Sequence, residues 1–231
     1  MKAWVIEPQG ETRALSLVEQ ATPEPAAGEV LVRVRAVSLN YRDLTTLEAQ
    51  RPGNLPPPLV SCSDGAGEVA AVGAGVTRWK VGDRVAGTFF RDWVSGPFSL
   101  KHHHGAAGGS MHGWLREYVA YPEHALVAIP ATFSFEEAAT LPCAAVTAWQ
   151  ALFTRGGLQA DQTVLALGTG GVSVFALQLA HAAGARVIVT SSSDDKLARA
   201  RELGAWATIN YKHTPDWDKD CLLYTSDAAD E

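Results

Sequence analysis

Two features of this chain could do chemistry by their residue types and spacing. The first is Gly168-Thr169-Gly170-Gly171-Val172-Ser173, which follows the apolar run Thr163 to Leu167 and opens a helical pattern running from Val172 to Ala183. The chemistry it suggests is phosphate binding. Gly168 permits a tight turn, Gly170 lets the backbone approach a pyrophosphate, and small Ser173 stands where a third glycine would let helix and strand pack closely. The first turn of the helix directs free amides at the phosphates, which makes Thr169, Gly171 and Val172 part of the same candidate cofactor site.

The second feature is the end of the next strand, Thr190-Ser191-Ser192-Ser193. An acid there would hold the ribose hydroxyls of NAD and repel the extra phosphate of NADP. Ser191 and Ser192 offer hydroxyls instead, and Lys196 one turn on adds positive charge. Asp194 and Asp195 argue the other way unless they serve as first-turn acids of the following helix. The balance favours NADP over NAD.

Metal chemistry has weaker support. His102 to His104 and His112 lie on a glycine-rich stretch that lacks both ligand spacing and a fixed geometry. The three cysteines, Cys62, Cys143 and Cys221, are odd in number and far apart, which suits reduced thiols better than a disulfide framework.

The elements that must position these residues fall into two kinds. Up to Pro130 the chain reads as short strands between turns: Lys2 to Ile6, Ala14 to Val18, Glu29 to Val37, Gly67 to Val72, Asp83 to Ala86 and Leu115 to Tyr121. Phe90 to Gly113 shows no periodicity and is expected to be a long surface loop. Ser134-Phe135-Glu136-Glu137 has the spacing of a capping box, and Cys143 to Phe153 reads as a second helix. From Gln162 strand and helix alternate: Thr163 to Leu167, Val172 to Ala183, Arg186 to Thr190, Asp194 to Leu203 and Ala207 to Asn210. That alternation predicts a parallel α/β sheet. A doubly wound dinucleotide domain has about six strands, so the three here make an incomplete Rossmann sheet.

Composition narrows the function classes. With 47% hydrophobic and 19% charged residues the chain can build a sizeable core. A net charge of −6 with scattered Lys and Arg argues against a nucleic-acid partner. No run is long and apolar enough for a membrane partner, and an acid at Glu7 comes too early for a signal peptide, so the cytoplasm is the expected location.

Taken in order, several segments resemble the medium-chain dehydrogenase/reductase superfamily, most closely its zinc-less branch of quinone-reductase-like and alcohol-dehydrogenase-like proteins. They are Gly28-Glu29-Val30-Leu31-Val32-Arg33-Val34, Ser38-Leu39-Asn40-Tyr41-Arg42-Asp43, Asp64-Gly65-Ala66-Gly67-Glu68-Val69, Val81-Gly82-Asp83-Arg84-Val85, Leu141-Pro142-Cys143 and the glycine turn. The resemblance covers Met1 to about Asp220. It implies a β-rich GroES-like catalytic domain over residues 1–130 and the N-terminal half of a Rossmann dinucleotide-binding domain over 131–220.

Zinc-dependent relatives carry metal ligands at the positions of Asn40, Ser63 and Cys143; only Cys143 keeps a ligand type, which implies no zinc. The resemblance places Asn40 and Tyr41 beside the nicotinamide, where amide and phenol can stabilise a developing oxyanion. Asn40 could equally cap the helix holding Asp43 and Leu44. Thr147 matches a position at the nicotinamide end of the cofactor and Tyr211 one beside the adenosine phosphate, while Cys143 reads as a small packed thiol. The implied activity is an NADP-dependent, zinc-independent oxidoreductase acting on a small-molecule carbonyl, quinone or alcohol, with a homodimer of the intact parent allowed.

Two other readings remain: a module that senses NADPH without turnover, and a fragment with no function. Residues 221–231, Cys221 to Glu231, leave the family pattern and resemble the translated end of a transposon-based sequencing adapter, the alternative being an ordinary acidic tail.

Overall fold

The computed structural model describes residues 1–10, 12–48, 58–219 and 221. The chain divides into two compact units, Met1–Cys143 and Ala144–Glu231.

The first unit is built on two sheets. Strands β1 (Lys2–Gln9), β2 (Thr12–Glu19) and β4 (Leu59–Val60) form one in the order β2-β1-β4. Strands β3 (Glu29–Ser38), β5 (Asp64–Val72), β6 (Arg84–Gly87), β7 (Tyr118–Pro122) and β8 (Leu126–Ala128) form the other, antiparallel, in the order β7-β3-β5-β6-β8. In β3 the alternation turns Val30 and Val32 into the core and leaves Arg33 and Arg35 exposed. Two register shifts against β5, at Leu31/Val32 and Val34/Ala36, bend the strand before it delivers its last residues to helix α1 (Tyr41–Leu47).

Trp114 is the largest side chain of this core and packs against Tyr121, whose hydroxyl donates to the Thr88 carbonyl. Only glycine leaves room for it, since a Cβ at Gly65 or Gly87 would lie 2.5 or 2.0 Å from the indole. Helix α2 (Phe135–Ala139) starts at the expected capping box, with the Glu137 amide donating to Ser134 Oγ and the Ser134 amide to Glu137 Oε2. Its Ala138 and Ala139 pack with Ala66 and Ala86 of the sheet, so the first unit extends past Pro130 to Cys143.

The second unit holds a parallel sheet in the order β11-β10-β9, from β9 (Thr163–Leu167), β10 (Arg186–Ser191) and β11 (Ala207–Asn210). Helices α4 (Gly171–Ala182) and α5 (Asp194–Glu202) are the crossovers, and α3 (Val146–Trp149) lies between two wider π turns, Leu141–Ala145 and Gln150–Arg155. Leu177, Ala180, Leu197 and Ala200 from α4 and α5 close over Ala166, Val187 and Val189. The mixed α/β class expected from the sequence is the one observed. The three parallel strands expected of an incomplete Rossmann sheet are the ones observed, with β9 at an edge among the described residues.

The stretch from Phe90 to Gly113 is more ordered than its lack of period implies. It carries a 3-10 turn, Leu100–Gly105, and a ring cluster in which Phe90, Trp93 and Phe98 contact His102 and His103. Of the adapter-like tail, residues 222–231 lie outside the described residues.

Candidate functional site

In the second unit the glycine turn sits between β9 and α4, as its spacing requires. Gly168 takes a left-handed φ of +80°, and its amide donates to Thr190 Oγ1 at 3.2 Å, which ties the turn to β10. Gly170 is the extended cap residue of α4. A Cβ at Gly168 or Gly170 would meet nothing within 4 Å, so both look onto open space where a pyrophosphate can approach the backbone. Ser173 donates from Oγ to the Leu167 carbonyl at 3.0 Å and stitches the helix back to its strand. A Cβ at Gly171 would lie 3.7 Å from the Ala144 methyl; Thr147, exposed, follows that alanine by one turn. These residues therefore fit the diphosphate of a dinucleotide.

The residues expected to choose the cofactor gather at the ends of β10 and β11. Ser191 pairs in register with Asn210, and the Tyr211 amide donates to the Ser191 carbonyl at 3.1 Å. Ser191 itself is only 4% exposed, and its hydroxyl accepts from the Ser193 amide, so it faces inward. Ser192 is partly exposed and Lys196 exposed. Ser193 caps α5, with Asp194 and Asp195 in its first turn; Asp194 accepts from Asn210 Nδ2 at 2.7 Å. A cleft of about 160 Å³ runs from Gly168, Thr169 and Ser173 to Lys196 and Arg199. Arg199 shares a face of α5 with Lys196 by its spacing of three, but its guanidinium is paired with Glu202 Oε2 at 2.6 Å.

In the first unit, Asn40 occupies the cap position of α1, and its backbone amide donates to Asp43 Oδ2 at 2.8 Å. The helix-cap reading is thus realised in the backbone. The carboxamide Nδ2 is nevertheless buried without a hydrogen bond of full geometry, although it lies close enough to Asp64 to help hold that acid ionised. Tyr41 is 78% exposed. Asp64 is fully buried; it accepts from Ser63 Oγ at 2.7 Å and from the Cys143 amide at 3.0 Å. Burial nevertheless pushes its carboxyl up to about 6. Beside it, burial and then the Asp43 charge push the Cys62 thiol up to about 12, which leaves it inert as a nucleophile.

The histidines of the loop are split apart: His102 is buried and accepts from the Ser99 amide through Nδ1, while His103 and His104 are exposed. Among the described residues no three His, Cys, Asp or Glu are grouped to hold a metal ion. The carboxamide of Asn40, the hydroxyl of Ser63 and one thiol at Cys143 are not a donor set that fits zinc.

Comparison with known proteins bears on both units. Residues 26–131 match the alcohol dehydrogenase GroES-like domain, and residues 171–230 the zinc-binding dehydrogenase family. The chain is 50% identical over 201 residues to a zinc-type alcohol dehydrogenase-like protein, C1773.06c, of Schizosaccharomyces pombe, covering 86% of this chain and 58% of that one. It thus spans about three-fifths of the length of such relatives.

Among solved structures, a protein of the alcohol dehydrogenase type from Sinorhizobium meliloti 1021 superposes with a TM-score of 0.90 at 44% identity, covering 97% of this chain and 66% of that one. An NAD-dependent alcohol dehydrogenase gives 0.84 at 38%, covering 95% and 66%. The Escherichia coli quinone oxidoreductase complexed with NADPH gives 0.73 at 27%, covering 92% and 59%. With both units matched in order by its domains and solved members, the chain belongs to the medium-chain dehydrogenase/reductase superfamily.

Proposed function

We propose that the protein is an NADPH-dependent, zinc-independent oxidoreductase of quinones, carbonyl-conjugated double bonds, or alcohols and aldehydes. Its first unit supplies the catalytic groups and its second binds the dinucleotide. The observation that carries this reading is the open glycine turn at the start of α4, from which a cleft runs to the exposed Lys196.

A bound reduced nicotinamide supplies a hydride. As an enone or quinone accepts it, negative charge gathers on the substrate oxygen, and the carboxamide of Asn40, ahead of α1, is the donor this reading assigns to it. Tyr41, exposed at the start of α1, is the second donor of this reading. Thr147 would contact the nicotinamide end; Ser192, Lys196 and Tyr211, with Ser191 shaping the strand end behind them, would receive the adenosine phosphate.

Fluorescence titration with NADPH and NADH tests the cofactor, and the reading expects tighter binding of NADPH. Equal or tighter NADH binding would favour the second reading, an NAD enzyme, which the likeness to an NAD-dependent alcohol dehydrogenase supports. Elemental analysis is expected to find no stoichiometric zinc, and turnover of 1,4-benzoquinone to survive chelation; one zinc per chain would refute zinc independence.

A further inference from the structure

The chain carries an acid where an NADPH site should avoid one: Asp194 stands between Ser192 and Lys196, and like charge so close repels a phosphate. The fold holds that acid to one side. Its Oδ1 accepts from Asn210 Nδ2 at 2.7 Å and its Oδ2 lies 3.9 Å from His213 Nδ1, so both oxygens are turned to the end of β11 and the turn after it. Asn210 is itself locked. Its Oδ1 accepts from the Lys212 amide at 3.1 Å, which leaves the NH2 end of the carboxamide for Asp194, and its carbonyl takes the amides of His213 and Thr214. In the sheet it pairs with Ser191, the residue before Ser192.

A carboxylate in the exposed first turn of a helix has other staggered rotamers open to it, and the tether selects one. The charge is not removed; its place is fixed. We infer that Asn210 is a positioning residue for cofactor choice, holding the Asp194 carboxylate against the end of β11 and so leaving Ser192 and Lys196 to the adenosine phosphate. The inference rests on the proposed preference for NADPH.

Asn210→Ser tests it with little damage to the turn, because a serine hydroxyl can still accept from the amide two residues on but is too short to reach Asp194. In the enzyme carrying this chain, fluorescence titration should show the Kd for NADPH rising about fivefold to twentyfold, the scale of one like charge brought toward the phosphate. The Kd for NADH, which lacks that phosphate, should stay within about twofold.

A purely structural loss would weaken both nucleotides and would not depend on Asp194, so the decisive comparison is with Asp194→Asn. Added to Asn210→Ser, it should bring the Kd for NADPH back to within about twofold of wild type. An unchanged Kd for NADPH in Asn210→Ser, equal losses for the two nucleotides, or a loss that Asp194→Asn does not reverse overturns the inference and leaves the NADPH reading standing. A wild type that binds NADPH no more tightly than NADH overturns that reading, and this inference with it.

One arm leaves Asn210 untouched and decides the matter even where Asn210→Ser does not fold. Asp194→Asn alone should change the Kd for NADPH by less than about threefold, since the acid is already held aside. A larger change means that Asp194 acts on the phosphate despite its tether, and overturns the inference.

Discussion

Ser192 and Ser191 are neighbours in sequence that the fold treats differently. Ser191 is turned in under the Ser193 amide, whereas Ser192 is partly exposed ahead of α5. An acid at Ser191 would be forced into the core; on the proposed NADPH reading, the same acid at Ser192 would face the phosphate that distinguishes the cofactor. Ser192→Asp should therefore weaken NADPH binding by about tenfold or more and spare or improve NADH, because like charges in contact cost several kcal/mol. Titration of both nucleotides checks this, and an unchanged ratio would place the phosphate elsewhere.

Asp64 gives a pH dependence of unusual sign for a carboxylate. Its folded value of about 6 lies above the ordinary 3.8, so between the two the folded state holds more protons than the unfolded one. The stability contributed by Asp64 is full below about pH 4 and is lost as pH rises through about 6. Chemical denaturation across that window should show wild type losing stability relative to Asp64→Asn as pH rises, with the difference levelling off above about pH 6. The opposite slope would mean that the acid is ionised throughout.

At this scale sequence reading had limits. The glycine turn was legible because its spacing is local. The burial of Asp64, its bond to an amide 79 residues away and the left-handed φ of +67° at Cys62 are products of tertiary packing and leave no local pattern.

Secondary elements were legible where local preference and tertiary packing agree. Strands β9 and β11 coincide with the runs Thr163 to Leu167 and Ala207 to Asn210, since turn residues bracket each. Strands β4 and β8 passed unseen because two and three residues are too few to show a period of two. The order of the loop from Phe90 to Gly113 was hidden for another reason: its rings contact one another and owe nothing to helical or strand spacing.

The same stretch leads to Trp114, which β5 and β6 accommodate through Gly65 and Gly87. Gly87→Ala would drive a methyl to within 2.0 Å of the indole, with the ring closed in by Tyr121 on another side. The expected cost is about 3 kcal/mol, at the upper end for an overpacked core, and urea unfolding should show it. A loss under about 0.5 kcal/mol would mean that Trp114 has room to move.

At the scale of the whole chain, the three-stranded sheet leaves one side of β9 without a strand among the described residues. Leu165 and Leu167 on that strand are 42% and 63% exposed, although its sequence is that of an interior strand, apolar almost throughout. Val146 and Trp149 of α3 add exposed apolar area in the same unit. An uncovered hydrophobic edge is a template for a second chain, and burying about 200 Å² of it is worth roughly 5 kcal/mol. That is comparable to the whole stability of a marginal domain, about 5 to 15 kcal/mol. Residues 1–231 expressed alone should therefore self-associate, with a mass by light scattering that grows with concentration above 24.6 kDa, and bind NADPH weakly. Leu165→Lys places a charge on that exposed edge and should shift the population toward monomer, since a lysine there opposes strand pairing. A wild-type chain that stays monomeric at all concentrations, melts in one sharp transition and binds NADPH at micromolar levels would show that these three strands and their two crossover helices suffice for a stable nucleotide site.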